Sequence, residues 1–159
     1  MPSFQFVQNE TSIVLLESIE IKNVNVSVDT RFDRVIAIAE DFDDVPWIKE
    51  FCGNSKVIVA GSTWEDDEAE LIHYAKTNAH IKFIIAPHEV DNENLRDVKK
   101  EFTGSIFYSE LNEFTIQNTN TVIIDNIGML SRLYKYADIT YVGGGFGYDG
   151  LHNILEAAV

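Results

Sequence analysis

Short runs of apolar and β-branched residues recur along the chain, and each is followed by a turn and then by a helix pattern. The runs cover residues 56–60, 83–86, 121–125 and 139–142. Strands that alternate with helices form βαβ units, and strands that are almost continuously apolar are buried on both faces of a parallel sheet. Because such crossovers are right-handed, the sequence predicts an α/β fold, a Rossmann-like doubly wound parallel sheet.

In a sheet of this kind, ligands bind beyond the carboxyl ends of the strands. Residues that directly follow a strand, or that begin the next helix, therefore share one edge of the predicted sheet. These residues are Ser62, Thr63, His88, Gly128 and the segment 143–156.

The last predicted strand leads into a glycine loop, Gly143-Gly144-Gly145, and then into a polar helix start with His152, Asn153 and Glu156. Glycines let a backbone approach a ligand closely, and a helix start offers unpaired N–H groups and the positive end of the helix dipole. Asn153 and Glu156 are three residues apart, so on a helix they share one face. The segment predicts an anion-binding site, although Glu156 on residue type alone could also be a first-turn acid that compensates the helix dipole.

The charge balance limits the partners of this chain. A net charge of −14 disfavours nucleic-acid binding, so a phosphate ligand has to be held by a local site. The acidic runs 40–44 and 65–68 lack the alternating ligand spacing of a calcium loop. We expect them to form a solvated loop and a solvated helix start, and we predict no metal site.

Length and ending bear on domain organisation. The 159 residues fit one domain, so we expect a single domain over 1–159. The helix pattern at the end stops without a C-terminal cap, so we expect this domain to be truncated at its C-terminal end. No apolar run approaches the ~20 residues of a membrane span, and no leader pattern opens the chain, so a soluble cytoplasmic fragment is expected. The single cysteine, Cys52, is predicted to be a packing residue.

Five segments, taken together and in order, resemble the donor-binding half of 3-deoxy-D-manno-octulosonic acid (Kdo) transferases. The segments are 28–34, 59–63, 125–130, 137–138 and 143–156. The most specific is Gly150-Leu151-His152-Asn153-Ile154-Leu155-Glu156, which is similar to the glycine-His-Asn-x-x-Glu signature of the family. The residues in these segments are most similar to those of the Bacteroidetes-type branch of the family.

The resemblance implies the C-terminal half of a GT-B glycosyltransferase that moves Kdo from CMP-Kdo onto a lipid A precursor (lipid IVA) in lipopolysaccharide biosynthesis. It implies an inverting, metal-independent reaction without a cofactor at the cytoplasmic face of the inner membrane. The catalytic base, the acceptor groove and the membrane contact would belong to an N-terminal domain that is absent from this sequence. On this basis the chain by itself is expected to bind the donor and to be inactive.

The resemblance also implies a set of donor-binding residues. Arg31 could neutralise the charge of the ligand or pair with a neighbouring acid, and His88 and His152 could be ligand contacts or capping or core residues. The backbone of residues 127–129 would meet the cytosine edge, and Glu156 would accept hydrogen bonds from donor hydroxyl groups. The full set is Arg31, Ser62, Thr63, His88, Ile127, Gly128, Met129, Gly144, Gly145, His152, Asn153 and Glu156.

Two other functions agree with the same sequence pattern. A GT-B transferase or an epimerase-like enzyme that uses a UDP-sugar would share the glycine loop and the following carboxylate. In a non-enzymatic interaction domain on a Rossmann-like scaffold, the glycine segment would be only a tight turn, and no nucleotide would bind. The chain has neither a Walker loop nor a Gly-x-Gly-x-x-Gly after its first strand, which disfavours an ATPase or a dinucleotide oxidoreductase.

Overall fold

A computed structural model describes residues 5–7, 9–27, 35–37, 43–146 and 154–158 of the chain. The chain divides into two compact units, Met1–Ala37 and Ile38–Val159. Within the described part, no helix combines the length and the apolar character that are needed to cross a membrane.

The described residues of the first unit include two short parallel strands, β1 (Gln5–Val7) and β2 (Val24–Val26), and the helix α1 (Glu10–Ser18) between them; residues 35–37 are also helical. Asn9 caps the helix α1, because its side chain accepts a hydrogen bond from the Ser12 N–H at 2.9 Å.

The second unit is built on a five-stranded parallel sheet. Its elements are α2 (Ile48–Cys52), β3 (Lys56–Thr63), α3 (Glu65–Thr77), β4 (Ile81–Pro87), α4 (Asn92–Glu101), β5 (Ile106–Phe107), a 3₁₀ turn (Tyr108–Glu110), β6 (Thr121–Ile123), α5 (Leu130–Leu133), a 3₁₀ turn (Tyr134–Tyr136), β7 (Ile139–Val142) and a 3₁₀ turn (Ile154–Ala157).

The strand order is β5-β6-β4-β3-β7, and every pair is parallel. From β3 the chain passes to its neighbour β4 and then forms β5 and β6 on the same side of β3. After β6 it crosses to the other side of β3 and forms β7. The order therefore reverses between β3 and β7, which is where open α/β sheets bind their ligands.

Both faces of the sheet are covered. On one face, Val57, Val59 and Ile84 belong to a core that includes residues of α2 and α5. On the other face, Ile58 and Phe83 belong to a core that includes residues of α3 and α4. Because successive strand residues point to opposite faces, strands buried on both sides must be apolar throughout. The predicted doubly wound α/β fold is confirmed.

Three local sequence patterns fold differently from what they favour. Gly61-Ser62-Thr63 is typical of a tight turn, but these residues continue β3, with a register irregularity between Gly61 and Thr63. Asn126 is typical of a helix start, but the helix begins at Leu130. The spacing of Ser62 and Glu65 predicts a capping box, but Ser62 still lies in the strand and the N-cap of α3 is Trp64. The prediction of a single truncated domain stays a prediction.

Candidate functional site

The carboxyl ends of β3 and β7 lie side by side at the reversal of the strand order. The Gly143 N–H donates to the Gly61 carbonyl at 2.9 Å, so hydrogen bonding continues beyond the last paired residues, Gly61 and Val142. Ser62 has a φ of +53°, in the left-handed region that residues with a side chain rarely adopt. Unusual backbone of this kind is concentrated at functional sites, and here it coincides with the register irregularity between Gly61 and Thr63 at the end of β3.

Gly143 is packed so closely that a side chain does not fit there. A Cβ atom on Gly143 would lie 2.7 Å from Asp67 Oδ2 and 2.8 Å from Thr63 Cα. The next residue, Gly144, has a φ of +93°, which favours glycine. These two glycines allow the chain to leave β7 in direct contact with the end of β3.

A buried carboxylate fixes the glycine loop. Asp67, in the first turn of α3, is 1% exposed. Its Oδ2 accepts from the Gly144 N–H at 3.0 Å and from the Trp64 N–H at 2.9 Å, and its Oδ1 accepts from the Tyr141 hydroxyl at 2.6 Å. Burial, followed by the hydrogen bond to Asp67, raises the pKa of Tyr141, so this hydroxyl remains a donor at neutral pH.

The next acid in the same turn fixes the end of β3. The Thr63 hydroxyl donates to Glu68 Oε1 at 2.8 Å, and both side chains are buried. Burial raises the pKa of Glu68, and the nearby charges of Asp67 and Glu65 add to the shift, while the Thr63 hydrogen bond opposes it. The run 65–68 begins a helix as predicted, but the prediction of a solvated run is wrong for Asp67 and Glu68.

Two aromatic rings stack where β3 and β4 end. The rings of Trp64 and His88 have centroids 4.4 Å apart and planes inclined by 24°. The His88 N–H donates to the Thr63 carbonyl at 2.9 Å, so the turn after β4 is tied to the end of β3. This places His88 on the same edge as Ser62 and Thr63, as the sequence predicts.

A small open pocket of about 130 Å³ lies beside this stack, at the ends of β4 and β6. It is mostly apolar and is lined by Ala86, Pro87, His88, Val90, Ile124, Asn126, Ile127, Gly128 and Leu130. Three predicted donor-binding residues, His88, Ile127 and Gly128, meet here. Ile127 is 86% exposed, and no atom lies within 4 Å of a Cβ added to Gly128, so the loop presents open backbone and an apolar side chain to solvent. The adjacent Met129 is buried in the core.

Glu156 lies in the 3₁₀ turn Ile154–Ala157 and is half-buried. Its charge acts on Tyr134, because burial and then the negative charge of Glu156 raise the Tyr134 pKa to about 12. Leu130, from the helix before Tyr134, lies over Gly61, where an added Cβ would be 2.7 Å from a leucine methyl carbon. Glu156 therefore lies near the face of β3 that Tyr134 covers.

The structure does not place every predicted residue. Arg31, His152 and Asn153 lie outside the described residues. Ser62, Thr63, His88 and Gly144 share one edge, and Gly145 is exposed at the same edge. A ligand role for each of these residues stays a prediction. In the described ranges, no group of three or more His, Cys, Asp or Glu side chains is placed to hold a metal ion.

Sequence reasoning missed Asp67, Tyr141 and Trp64 as parts of this edge. Asp67 and Gly144 are 77 positions apart, and no periodic pattern connects them. The available signal was indirect: four consecutive acids lie at the start of this helix, so a role for one of them besides its interaction with the helix dipole could have been suspected.

Comparison with known proteins identifies relatives of similar sequence. No family model matches the chain. It is 31% identical to a bifunctional glycosyltransferase/methyltransferase of Fusobacterium nucleatum, over 97% of this chain and 25% of that protein. It is 29% identical to a 3-deoxy-D-manno-octulosonic acid transferase of Aquifex aeolicus, over 79% of this chain and 41% of that protein. The chain thus spans a quarter to two-fifths of the length of these relatives.

A solved structure shares the fold. The C-terminal CMP-Kdo binding domain of WaaA from Acinetobacter baumannii matches with a TM-score of 0.56 and 18% identity, over 79% of this chain and 64% of that one. The Bacteroidetes-type assignment stays a prediction. The resemblance to Kdo transferases is confirmed: this chain is similar to them in sequence and has the fold of a C-terminal domain of a GT-B glycosyltransferase.

Proposed function

We propose that this chain is the donor-binding domain of a glycosyltransferase that transfers Kdo from CMP-Kdo to a lipid A precursor. The observation that carries the proposal is the placement of the pocket with His88, Ile127 and Gly128 on the same sheet edge as the glycine loop. The nucleotide donor named for the WaaA domain and the transferase names of the relatives support it.

The cytosine base would occupy the pocket between the ends of β4 and β6. The exposed backbone of residues 126–128 offers peptide groups to the base edge, and the apolar lining suits an aromatic ring. Glu156, as an acceptor, would hold hydroxyl groups of the donor. The negative charge that develops on the departing CMP would be met by fixed dipoles of the protein, with no cofactor.

The phosphate would be bound farther along the glycine loop than its first two residues. The N–H groups of Gly143 and Gly144 donate to the Gly61 carbonyl and to Asp67. Gly145 is the first exposed residue of the loop. In this proposal the phosphate is therefore contacted by Gly145 and by residues that follow it in the chain.

The remaining parts of the reaction belong elsewhere in the full-length protein. The catalytic base, the contact with lipid IVA and the contact with the cytoplasmic face of the inner membrane are assigned to a further domain. Donor sites in such enzymes close between two domains, so this chain by itself would bind CMP more weakly than the whole enzyme.

The test is a titration of the chain with CMP, UDP and ADP, followed by amide chemical shifts. We expect CMP to move the resonances of residues 126–128 and Gly145, and Ile127→Ala to weaken its binding severalfold. Phe114→Ala is the matched control, because Phe114 is also a highly exposed apolar residue, at 77%. Preference for UDP would replace the proposal with the UDP-sugar enzyme, and absence of nucleotide binding would favour the interaction domain.

A further inference from the structure

We infer that Asp67 is a positioning residue of the donor site, which holds the glycine loop in its binding conformation through the Gly144 N–H. Asp67 itself does not contact the donor in this proposal. It acts through the loop, and the effect on donor binding rests on the function proposed above.

The hydrogen bonds around Asp67 require an acceptor with two oxygens. Three donors converge on this carboxylate: the N–H groups of Trp64 and Gly144 on Oδ2, and the Tyr141 hydroxyl on Oδ1. An asparagine has only one acceptor oxygen, and its NH₂ group would face donors at the other position. The three hydrogen bonds therefore require an aspartate and not an asparagine at position 67.

The space around Asp67 requires the shorter of the two acids. Oδ2 lies 2.7 Å from the place where a Cβ of Gly143 would be, and Asp67 itself is 1% exposed. The extra methylene of a glutamate would push its carboxylate into the glycine loop. Buried sites of this density respond to a single added methylene.

The charge of Asp67 is compensated by dipoles. No Lys or Arg in the described ranges forms an ion pair with it. The three donors and its place in the first turn of α3, at the positive end of the helix dipole, stabilise the carboxylate. These contacts join α3, β7 and the glycine loop at the point where the strand order reverses.

The experiment compares Asp67→Asn with Asp66→Asn, a neighbouring exposed acid on the same helix turn. Amide hydrogen exchange at Gly144 is the first readout and needs no ligand. We expect Asp67→Asn to increase the Gly144 exchange rate at least tenfold, and Tyr141→Phe to increase it less, because the Oδ2 contacts remain. Asp66→Asn should leave it unchanged. An unchanged Gly144 rate in a folded Asp67→Asn variant overturns the inference.

The second readout is CMP binding, compared with a variant that is destabilised away from the edge. Val98→Ala removes part of the core beside α4 and serves this purpose. We expect CMP affinity to fall about tenfold in Asp67→Asn and to remain unchanged in Val98→Ala. Equal losses in both variants would mean that Asp67 acts only through stability, which contradicts a positioning role. If the unsubstituted chain does not bind CMP, the proposed function fails, while the exchange result still decides the role of Asp67 in the loop.

Discussion

Replacing Gly143 by alanine tests how rigidly the ends of β3 and β7 are joined. The new Cβ would lie 2.7 Å from Asp67 Oδ2 and 2.8 Å from Thr63 Cα, and it would also meet the Ser62 carbonyl oxygen. Gly143 is not among the residues with positive φ, so backbone strain adds nothing. The cost of the substitution is therefore steric.

The magnitude follows from what has to move. Overpacking of a tight site costs about 1–3 kcal/mol. If the loop shifts to relieve the contact, it weakens the hydrogen bonds from Gly143 to Gly61 and from Gly144 to Asp67, each of which contributes about 0.5–1.5 kcal/mol. Alanine also reduces the conformational entropy of the unfolded chain, which stabilises the folded protein by about 0.4–1 kcal/mol. We expect a net loss of about 3 kcal/mol in the free energy of unfolding, which corresponds to about 6–12 °C in Tm at this chain length.

The assay is urea unfolding followed by circular dichroism, with Gly104→Ala as the control. Gly104 has a φ of +86° and no atom within 4 Å of an added Cβ, so its substitution tests backbone strain without crowding. That strain costs about 1–2 kcal/mol before the gain from the unfolded state. If Gly143→Ala lowers the free energy of unfolding no more than Gly104→Ala does, the ends of β3 and β7 are not rigidly joined.

Two further predictions concern titratable groups. The pKa of Glu68 is raised above its ordinary value of 4.5, so the folded state holds this proton more tightly than the unfolded chain. The contribution of Glu68 to stability is therefore full below that value and is lost as pH rises through its folded pKa. Glu68→Gln should gain stability relative to the unsubstituted protein between pH 4 and pH 7 in urea unfolding, and a difference independent of pH would contradict this. Burial raises the pKa of the Cys52 thiol to about 11, so iodoacetamide at pH 8 should modify Cys52 slowly until the protein unfolds. Rapid modification of the native protein, measured by mass spectrometry, would show that the thiol is accessible.

The sequence alone predicts the class of fold and the edge that carries the site. Runs such as 57–60 and 83–86 are apolar throughout because both faces of a parallel sheet are covered, and that requirement is visible in a single chain. Ser62, His88 and Gly128 follow predicted strands, or lie between a predicted strand and the next helix, which places them at the carboxyl edge in any fold of this class. These features are local, so no knowledge of the strand order is needed.

Only the tertiary structure decides which groups at that edge are available to a ligand. The strand order brings β7 beside β3, and the Gly144 N–H then meets the Asp67 carboxylate from 77 positions away. The burial of Asp67 and Glu68 depends on donors that other elements supply. The register irregularity between Gly61 and Thr63 arises in the pairing of β3 with β4. Charge and periodicity along the chain predict a solvated helix start for the run 65–68, because they carry no information on which distant donors will satisfy a buried carboxylate.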